Sequence, residues 1–156
     1  MARRKTWVEK LHDKKDLPKV VKLEGKMSKR FGEGTMVIPS PVEVDAVMKM
    51  VPEGRVITVE EIRKYLARKH GTDIACPLTT GIFVWIAANA AEEIRERGGG
   101  EITPYWRTLK SGGYLNEKYP GGAERHKELL EAEVHTVVRR GKRYLVENYR
   151  EKVFIP

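Results

Sequence analysis

The sequence has one cysteine, Cys76, among its 156 residues. A single cysteine excludes an internal disulfide, and the paired cysteines of a structural zinc site are missing. The four histidines are scattered without the spacing of metal ligands, so we expect no metal and no cofactor. Cys76 itself precedes a predicted helix, where we favour a buried structural thiol over a reactive one.

Long apolar runs are also missing. No stretch approaches the roughly 18 apolar residues of a membrane span, and the opening Met-Ala-Arg-Arg-Lys leads into no apolar signal core. These absences predict a cytoplasmic protein with no membrane partner. The chain length and the 40% hydrophobic content are sufficient for one compact core, and we expect a monomer.

What the sequence has in excess is positive charge. It contains 30 Lys and Arg against 22 Asp and Glu, which gives a net charge of +8. An excess of this size favours a polyanionic partner but does not identify it. Most of the excess lies in the first 35 residues, which carry 11 basic and 5 acidic side chains. We therefore predict a basic N-terminal arm with one short helix over residues 1–38, followed by a folded domain over 39–156.

Two capping boxes predict where helices begin in this domain. Ser40-Pro41-Val42-Glu43 opens one helix, and Thr58-Val59-Glu60-Glu61 opens a second that closes near Gly71. A turn over 73–80 then leads into a longer helix from Gly81 to about Arg97. The large apolar residues of that helix are expected in the core, because they recur at helical spacing. They are Ile82, Phe83, Trp85, Ile86 and Ala90.

The last part of the domain alternates in polarity like a hairpin. Val134, Thr136 and Val138 form one predicted strand, Tyr144 and Val146 lie on the other, and the basic run 139–143 joins them. Helices followed by such a hairpin describe a winged helix-turn-helix. The predicted fold class is therefore mostly α with a small β-hairpin, a shape that commonly binds DNA.

Five pieces of sequence, in order, resemble the DNA-binding and active-site domain of the O6-alkylguanine-DNA alkyltransferases. The resemblance runs from about Val42 to Glu133. The pieces are Pro52-Glu-Gly-Arg-Val-Ile-Thr58, Asn89, Pro104-Tyr105-Trp106-Arg107, Tyr119-Pro120-Gly121-Gly122, and Leu129-Leu130 with Glu133. It implies the winged helix-turn-helix fold of the family's C-terminal domain. It also implies that Asn89, which matches an asparagine ending the recognition helix, and Glu133 support a pocket.

The family's catalytic chemistry needs a cysteine thiolate, a histidine base and a glutamate. Of these three residues, the chain has only the glutamate. Tyr105 stands in place of the cysteine, and a phenol with a pKa near 10 is only about one part in a thousand ionised at neutral pH. Trp106 stands in place of the histidine, and an indole N–H can only donate. Glu133 is then expected to accept a hydrogen bond from Trp106 or Arg107. We predict that the chain is not an enzyme.

Loss of this cysteine marks the alkyltransferase-like branch of the family, whose members bind DNA carrying O6-alkylguanine without repairing it. The resemblance therefore implies a non-enzymatic protein that binds double-stranded DNA, recognises this or related damage and signals to nucleotide excision repair proteins. The family's flipping arginine and tyrosine fall here near Thr80 and at Val59, so both are replaced. Two alternatives stay open: a winged-helix regulator of undamaged DNA that recruits a protein partner, and an enzyme with a remodelled pocket.

The candidate DNA-binding and lesion-pocket residues are Thr79, Thr80, Tyr105, Trp106, Arg107, Lys110, Ser111, Tyr119, Arg139, Arg140 and Lys142. Tyr105 either stacks on a flipped base or fills the vacated pocket, and both interpretations stay open. We favour a core position for Trp106 and a structural hydrogen-bond role for Arg107.

Each remaining candidate has a plainer interpretation beside the DNA contact. The threonines can cap a helix, Asn89 can fix a turn, and the glycines around Lys110 and Ser111 suit tight turns. For the hairpin tip we favour phosphate contact over a solvated charge run. For Arg3, Arg4 and Lys5 in the arm, both interpretations stay open.

Overall fold

A computed structural model of the protein describes residues 4–156, and helices make up about half of it. The helices are α1 Trp7–His12, α2 Lys26–Phe31, α3 Pro41–Lys49, α4 Val59–His70, α5 Pro77–Glu96 and α6 Gly122–Ala132. The strands are β1 Lys19–Leu23, β2 Gly34–Ile38, β3 Ile57–Thr58, β4 Ile74–Ala75, β5 Thr108–Leu109, β6 Val137–Arg140 and β7 Arg143–Val146. Short 3-10 turns follow at Tyr105–Arg107, Ser111–Gly113 and Tyr149–Lys152. Within residues 4–156, no helix is both long and apolar enough to cross a membrane.

The two predicted helix starts are confirmed. At α3, the Ser40 hydroxyl accepts from the Glu43 backbone N–H while the Glu43 carboxylate accepts from the Ser40 N–H, which is a complete capping box. At α4, the Thr58 hydroxyl accepts from the backbone N–H of Glu61. Gly71 ends this helix in the left-handed conformation, at φ 65°. Local capping chemistry therefore fixes both starts and the end of α4.

The longest helix, α5, lies at the centre of the fold and contacts α1, α3 and α4. It begins at Pro77, four residues before the predicted Gly81, because proline suits the first position of a helix. Thr79 and Thr80 consequently lie in its first turn and not in the turn before it. Small alanines on its inner face allow close packing. The buried residues of α3, α4 and α5 include Val44, Val47, Met48, Ile62, Leu66, Val84, Ala87, Ala88 and Ala91.

The N-terminal segment packs on α5 through α1. The Trp7 ring meets the Trp85 ring edge to face, with centroids 4.8 Å apart. The Glu93 carboxylate accepts the backbone N–H groups of Trp7 and Val8, each at 3.1 Å. Burial alone would raise the pKa of Glu93, but these two N–H groups, together with Arg97 and the Thr6 hydroxyl, outweigh it and hold the pKa below its ordinary value. This carboxylate therefore ties the start of α1 to α5.

The same segment also supplies β1, which the sequence did not predict, and β2, where the sequence predicts only a short extended approach from Thr35 to Ser40. In a sheet of order β1-β2-β4, β2 pairs antiparallel with β1 and parallel with β4. Since β4 leads directly into α5, this sheet adjoins the beginning of that helix. The division between residues 38 and 39 stays a prediction; in the structure, described residues on both sides of it share one core, with Leu11 and Val37 among the buried members. Arg3 lies outside the described residues.

The predicted hairpin is present as β6 and β7, and it turns at Gly141 and Lys142. Its register pairs Val137 with Val146. The expectation that Val134 belongs to the strand is wrong, because this residue lies in a left-handed turn at φ 64° and is 86% exposed. The strand begins only after that turn. The identification of this hairpin as the wing of a winged helix stays a prediction.

Candidate functional site

A groove of about 810 Å³ runs along the outer face of α5. The first half of α5 forms its floor, and its walls come from the start of α4, the loop over 110–118 and the hairpin. Residues that line it are Val59, Pro77, Leu78, Gly81, Ile82, Val84, Trp85, Lys110, Ser111, Asn116, Lys118 and Arg143. It therefore brings together segments far apart in the sequence.

The floor of this groove is apolar and open. Leu78 is 49% exposed, Ile82 50% and Trp85 37%. The expectation that Ile82 and Trp85 belong to the core is therefore wrong, whereas Phe83 is half-buried and packs against the core. The helix buries Val84 and its alanines instead, which leaves a second apolar stripe that only the Trp7 ring covers, at Trp85.

The walls of the groove carry basic side chains. Lys118 is exposed, and Lys110 pairs with Glu117 at 3.3 Å. The Arg143 guanidinium lies 3.7 Å from the centroid of the Tyr114 ring. Hydrogen bonds from Arg140 and then Arg143 lower the pKa of the Tyr114 hydroxyl. These arginines therefore connect the hairpin to the groove wall.

The predicted phosphate-contacting residues of the hairpin all lie at its exposed tip. Arg139, Arg140 and Lys142 are exposed, and Arg139 Nε donates to the Gly141 carbonyl at 3.1 Å. Arg143, the last residue of the predicted basic run 139–143, joins this tip to the groove. The tip and the groove walls thus form one cationic edge.

Three of the candidate pocket residues lie in the core, and no ligand reaches them without a rearrangement. Tyr105 is 1% exposed and donates its hydroxyl hydrogen to Glu92 at 2.7 Å. Burial and this bond to Glu92 raise the pKa of Tyr105 well above its ordinary value. Tyr119 is buried and donates to the Thr108 carbonyl at 2.8 Å, and Thr80 is buried. The Tyr105 ring therefore fills space between α5, Trp106 and Tyr119.

Arg107 and Glu133 form a two-pronged ion pair. Arg107 Nε and Nη2 donate to the two carboxylate oxygens of Glu133 at 2.9 and 2.7 Å, and Nη1 donates to the Val51 carbonyl at 2.8 Å. The sequence predicted Trp106 or Arg107 as the donor to Glu133, and in the structure the donor is Arg107. The Trp106 indole Nε1 is buried without a hydrogen-bond partner among the residues described. This pair joins the 3-10 turn, the end of α6 and the chain after α3.

Asn89 does not end a helix, as its match to the family implied. It lies inside α5, where its Nδ2 donates to the Trp85 carbonyl one turn earlier at 2.9 Å. The helix continues to Glu96 because alanine and glutamate, both good helix formers, follow Asn89. Asn89 therefore supports no turn toward Tyr105. Ser111 is exposed on the groove wall, and the Thr79 hydroxyl is buried without a partner within residues 4–156.

The groove residues that the sequence did not indicate are Leu78, Asn116 and Lys118. The sequence placed Ile82 and Trp85 in the core, and it assigned Arg143 to the basic hairpin run without bringing it to α5. One signal was available: apolar side chains surround the whole first half of α5, which one neighbouring layer cannot cover. The position of Lys118 and Arg143 beside α5 could not be predicted, because no local pattern brings the loop and the hairpin to this helix.

The chain shares the fold of S. pombe Atl1, an alkyltransferase-like protein. A crystal structure of Atl1 in complex with damaged DNA containing O6-carboxymethylguanine matches with a TM-score of 0.50, and one of the S. pombe protein in complex with DNA matches with a TM-score of 0.53. In both cases the identity is 20%, over 74% of this chain and 94% of the other. No family model and no curated protein matches the sequence. The resemblance found in the sequence is thus supported at the level of the fold.

A buried histidine stabilises the loop beneath the groove. His126 is 1% exposed; its Nδ1 accepts the Asn116 N–H at 3.1 Å, and its Nε2 donates to the Trp106 carbonyl at 2.7 Å. Both ring nitrogens are therefore used by a neutral imidazole. Burial lowers the pKa of His126 to about 4.

This histidine should make the fold acid-sensitive. The unfolded chain takes up the proton near pH 6.5, whereas the native state resists it until about pH 4, so stability present above the higher value is lost as the pH falls. Urea unfolding at about pH 7.5 and about pH 5 should differ by about 2 kcal/mol through His126. In His126→Gln this difference should shrink; an unchanged difference would show that other groups cause it.

Proposed function

We propose that this protein binds double-stranded DNA without modifying it, through the groove along α5 and the hairpin tip. The observation that carries the proposal is an apolar groove floor bordered by Lys118, Arg143 and the exposed tip cations. In protein–DNA contacts, cations hold phosphates while other side chains meet the base edges inside a groove. The shared fold with Atl1, which has been crystallised with DNA, supports the same function here.

The absence of alkyl transfer rests on Tyr105. Its phenol stands where the resemblance puts the family's cysteine, and burial together with the Glu92 carboxylate raises its pKa further. A phenol held protonated in the core is a poor nucleophile toward alkyl carbon. The neighbouring Trp106 supplies no base.

Recognition of O6-alkylguanine or related damage, with signalling to nucleotide excision repair proteins, is the more specific proposal. The likeness to Atl1 bound to DNA containing O6-carboxymethylguanine supports it. A second candidate is a regulator that binds undamaged duplex and recruits a protein partner. Its support is the Tyr105 ring, which is only 1% exposed at the position where the resemblance puts the family's pocket.

Binding of the purified protein to matched duplexes, one with O6-methylguanine and one without, separates these candidates. A preference for the damaged duplex of about tenfold, or 1.4 kcal/mol, supports damage recognition. Equal binding that falls steeply with salt supports the second candidate, because phosphate contacts alone then supply the affinity. If neither duplex binds at low or at physiological salt, DNA binding is contradicted.

Removal of the three tip cations should weaken DNA binding. We expect Arg139→Ala/Arg140→Ala/Lys142→Ala to bind plain duplex about 10- to 100-fold more weakly, and to reduce the slope of log affinity against log salt by about 2 to 3. Fluorescence anisotropy over a salt series measures both. The matched control, Lys26→Ala/Lys29→Ala/Arg30→Ala in α2, removes equal charge from exposed positions. Equal losses in the two variants would contradict a specific role for the tip.

A further inference from the structure

Strand β1 forms an open edge of the sheet β1-β2-β4. On β2, the Thr35 and Val37 carbonyls accept hydrogen bonds at 3.1 and 2.9 Å from the residues that flank β4, so the backbone groups of both residues face away from β1. Their opposite residues on β1 are Lys22 and Val20. Opposite residues of an antiparallel pair either exchange both hydrogen bonds or make none with each other. The N–H and C=O groups of Val20 and Lys22 therefore point outward, and no strand within residues 4–156 pairs with them.

This edge is accessible and borders a recess. Val20 is 54% exposed, and Lys22 is exposed two residues further along the strand. A recess of about 630 Å³ follows β1 from Val20 to Leu23 and reaches Ser28 of α2 and Glu33. An open strand edge is a template for one more strand, because its outward backbone groups lack partners. The recess and the unpaired backbone groups together fit an extended polypeptide.

The charge around the edge favours an anionic occupant. Residues 19–33 carry five basic and two acidic side chains. Lys26, Lys29 and Arg30 are exposed on α2, which contacts β1. No carboxylate within residues 4–156 forms an ion pair with any of these three side chains. They are therefore available to the carboxylates of a partner.

Two other occupants fit this edge less well. A second copy of the chain would bring the same cations to the edge, and like charges on neighbouring strands repel each other. A DNA duplex would offer phosphates to the cations but no row of amide groups to pair with the strand. An extended acidic polypeptide supplies both the amide groups and the negative charge.

We propose that β1 is a docking edge for an extended acidic segment of a partner protein, which adds a strand to the sheet beside β1. The inference rests on the part of the proposed function in which a protein partner is recruited. Main-chain hydrogen bonds to Val20 and Lys22 supply affinity, and the α2 cations select for acidic side chains. No residue of β1 or α2 lines the groove along α5, so the two binding sites use different residues.

A fluorescein-labelled peptide of about six residues, in which valine and glutamate alternate, tests this edge. Fluorescence anisotropy should show binding to the wild-type protein, and the same peptide with lysine in place of glutamate should bind at least about tenfold more weakly. Amide hydrogen exchange of Val20 and Lys22, followed by NMR, should slow by about tenfold or more when the acidic peptide is saturating.

Three variants separate the contributions of the backbone and the charge. Val20→Pro removes one outward N–H but no bond to β2, so the acidic peptide should bind about tenfold more weakly. The matched control Val20→Thr keeps this N–H and a branched side chain, and it should bind as wild type does. Lys26→Ala/Lys29→Ala/Arg30→Ala should also weaken the peptide about tenfold at low salt. All three variants should keep the wild-type circular dichroism and the wild-type affinity for plain duplex.

The outcomes separate the docking edge from DNA binding. The edge is overturned if the acidic peptide binds more weakly than about 1 mM at low salt, or if amide exchange at Val20 and Lys22 is unchanged at saturation. Displacement of the peptide by plain duplex would assign its carboxylates to the DNA-binding cations and also overturn the edge. A dimer in sedimentation that Val20→Pro dissociates would assign the edge to a second copy. Peptide binding by a protein that binds no duplex would instead contradict DNA binding and leave the edge standing.

Discussion

Glu133→Ala should lower the free energy of unfolding by about 3–5 kcal/mol. Glu133 receives two hydrogen bonds from Arg107, and the two side chains are only 9% and 15% exposed. Without the carboxylate, a largely buried guanidinium keeps one bond, to the Val51 carbonyl. Loss of one partner of a buried pair is costly because the remaining charge is uncompensated. Urea unfolding followed by circular dichroism measures the change.

Two further variants distinguish the contribution of the Arg107–Glu133 pair to stability from that of its surroundings. Glu131 lies in the last turn of α6, two residues before Glu133, and it is half-exposed and 4.0 Å from Lys127. For Glu131→Ala we therefore expect a change within about 0.5 kcal/mol. The double variant Arg107→Met/Glu133→Leu should be more stable than Glu133→Ala, because it leaves no unpaired charge. A loss below about 1 kcal/mol in Glu133→Ala would show that the pair contributes little.

The elements that sequence predicted well are those set by neighbours along the chain. The capping box at Ser40 and the N-cap bond at Thr58, where the predicted box is only half formed, need only residues three positions apart, and the hairpin tip needs only the turn at Gly141. The strands β1 and β2 could not be predicted in this way, because β2 depends on a parallel partner near residue 74. Sequence-local signals do not record such pairing.

In the candidate site, too, only part of the arrangement could be predicted from the sequence. The resemblance placed Arg107 and Glu133 near each other, because in the family the motif that matches residues 104–107 contacts the glutamate that matches Glu133. It could not show that Tyr105 is buried against Glu92, because no motif contains Glu92. The apolar residues of α5 lie on every side of its first half, which indicates that some of them are exposed but gives periodicity no preferred face from which to identify Ile82.

Tyr105→Ala should lower the free energy of unfolding by about 3–5 kcal/mol, since it removes a fully buried ring and leaves a cavity beside Trp106 and Tyr119. Tyr105→Phe keeps the ring and loses only the hydrogen bond to Glu92, for which we expect about 1 kcal/mol. The difference between the two variants therefore measures the packing of the ring. Denaturant unfolding of both variants at neutral pH gives it.

The DNA affinity of the same variants decides whether Tyr105 is a filler or a contact. The ring is not among the groove-lining residues, so a filler predicts that Tyr105→Ala, measured where it is still folded, binds plain duplex as wild type does. A base-stacking contact predicts instead that Tyr105→Phe keeps a preference for O6-methylguanine and that Tyr105→Ala loses it. That second result would require the buried ring to move when DNA binds, and it would contradict its assignment to the core.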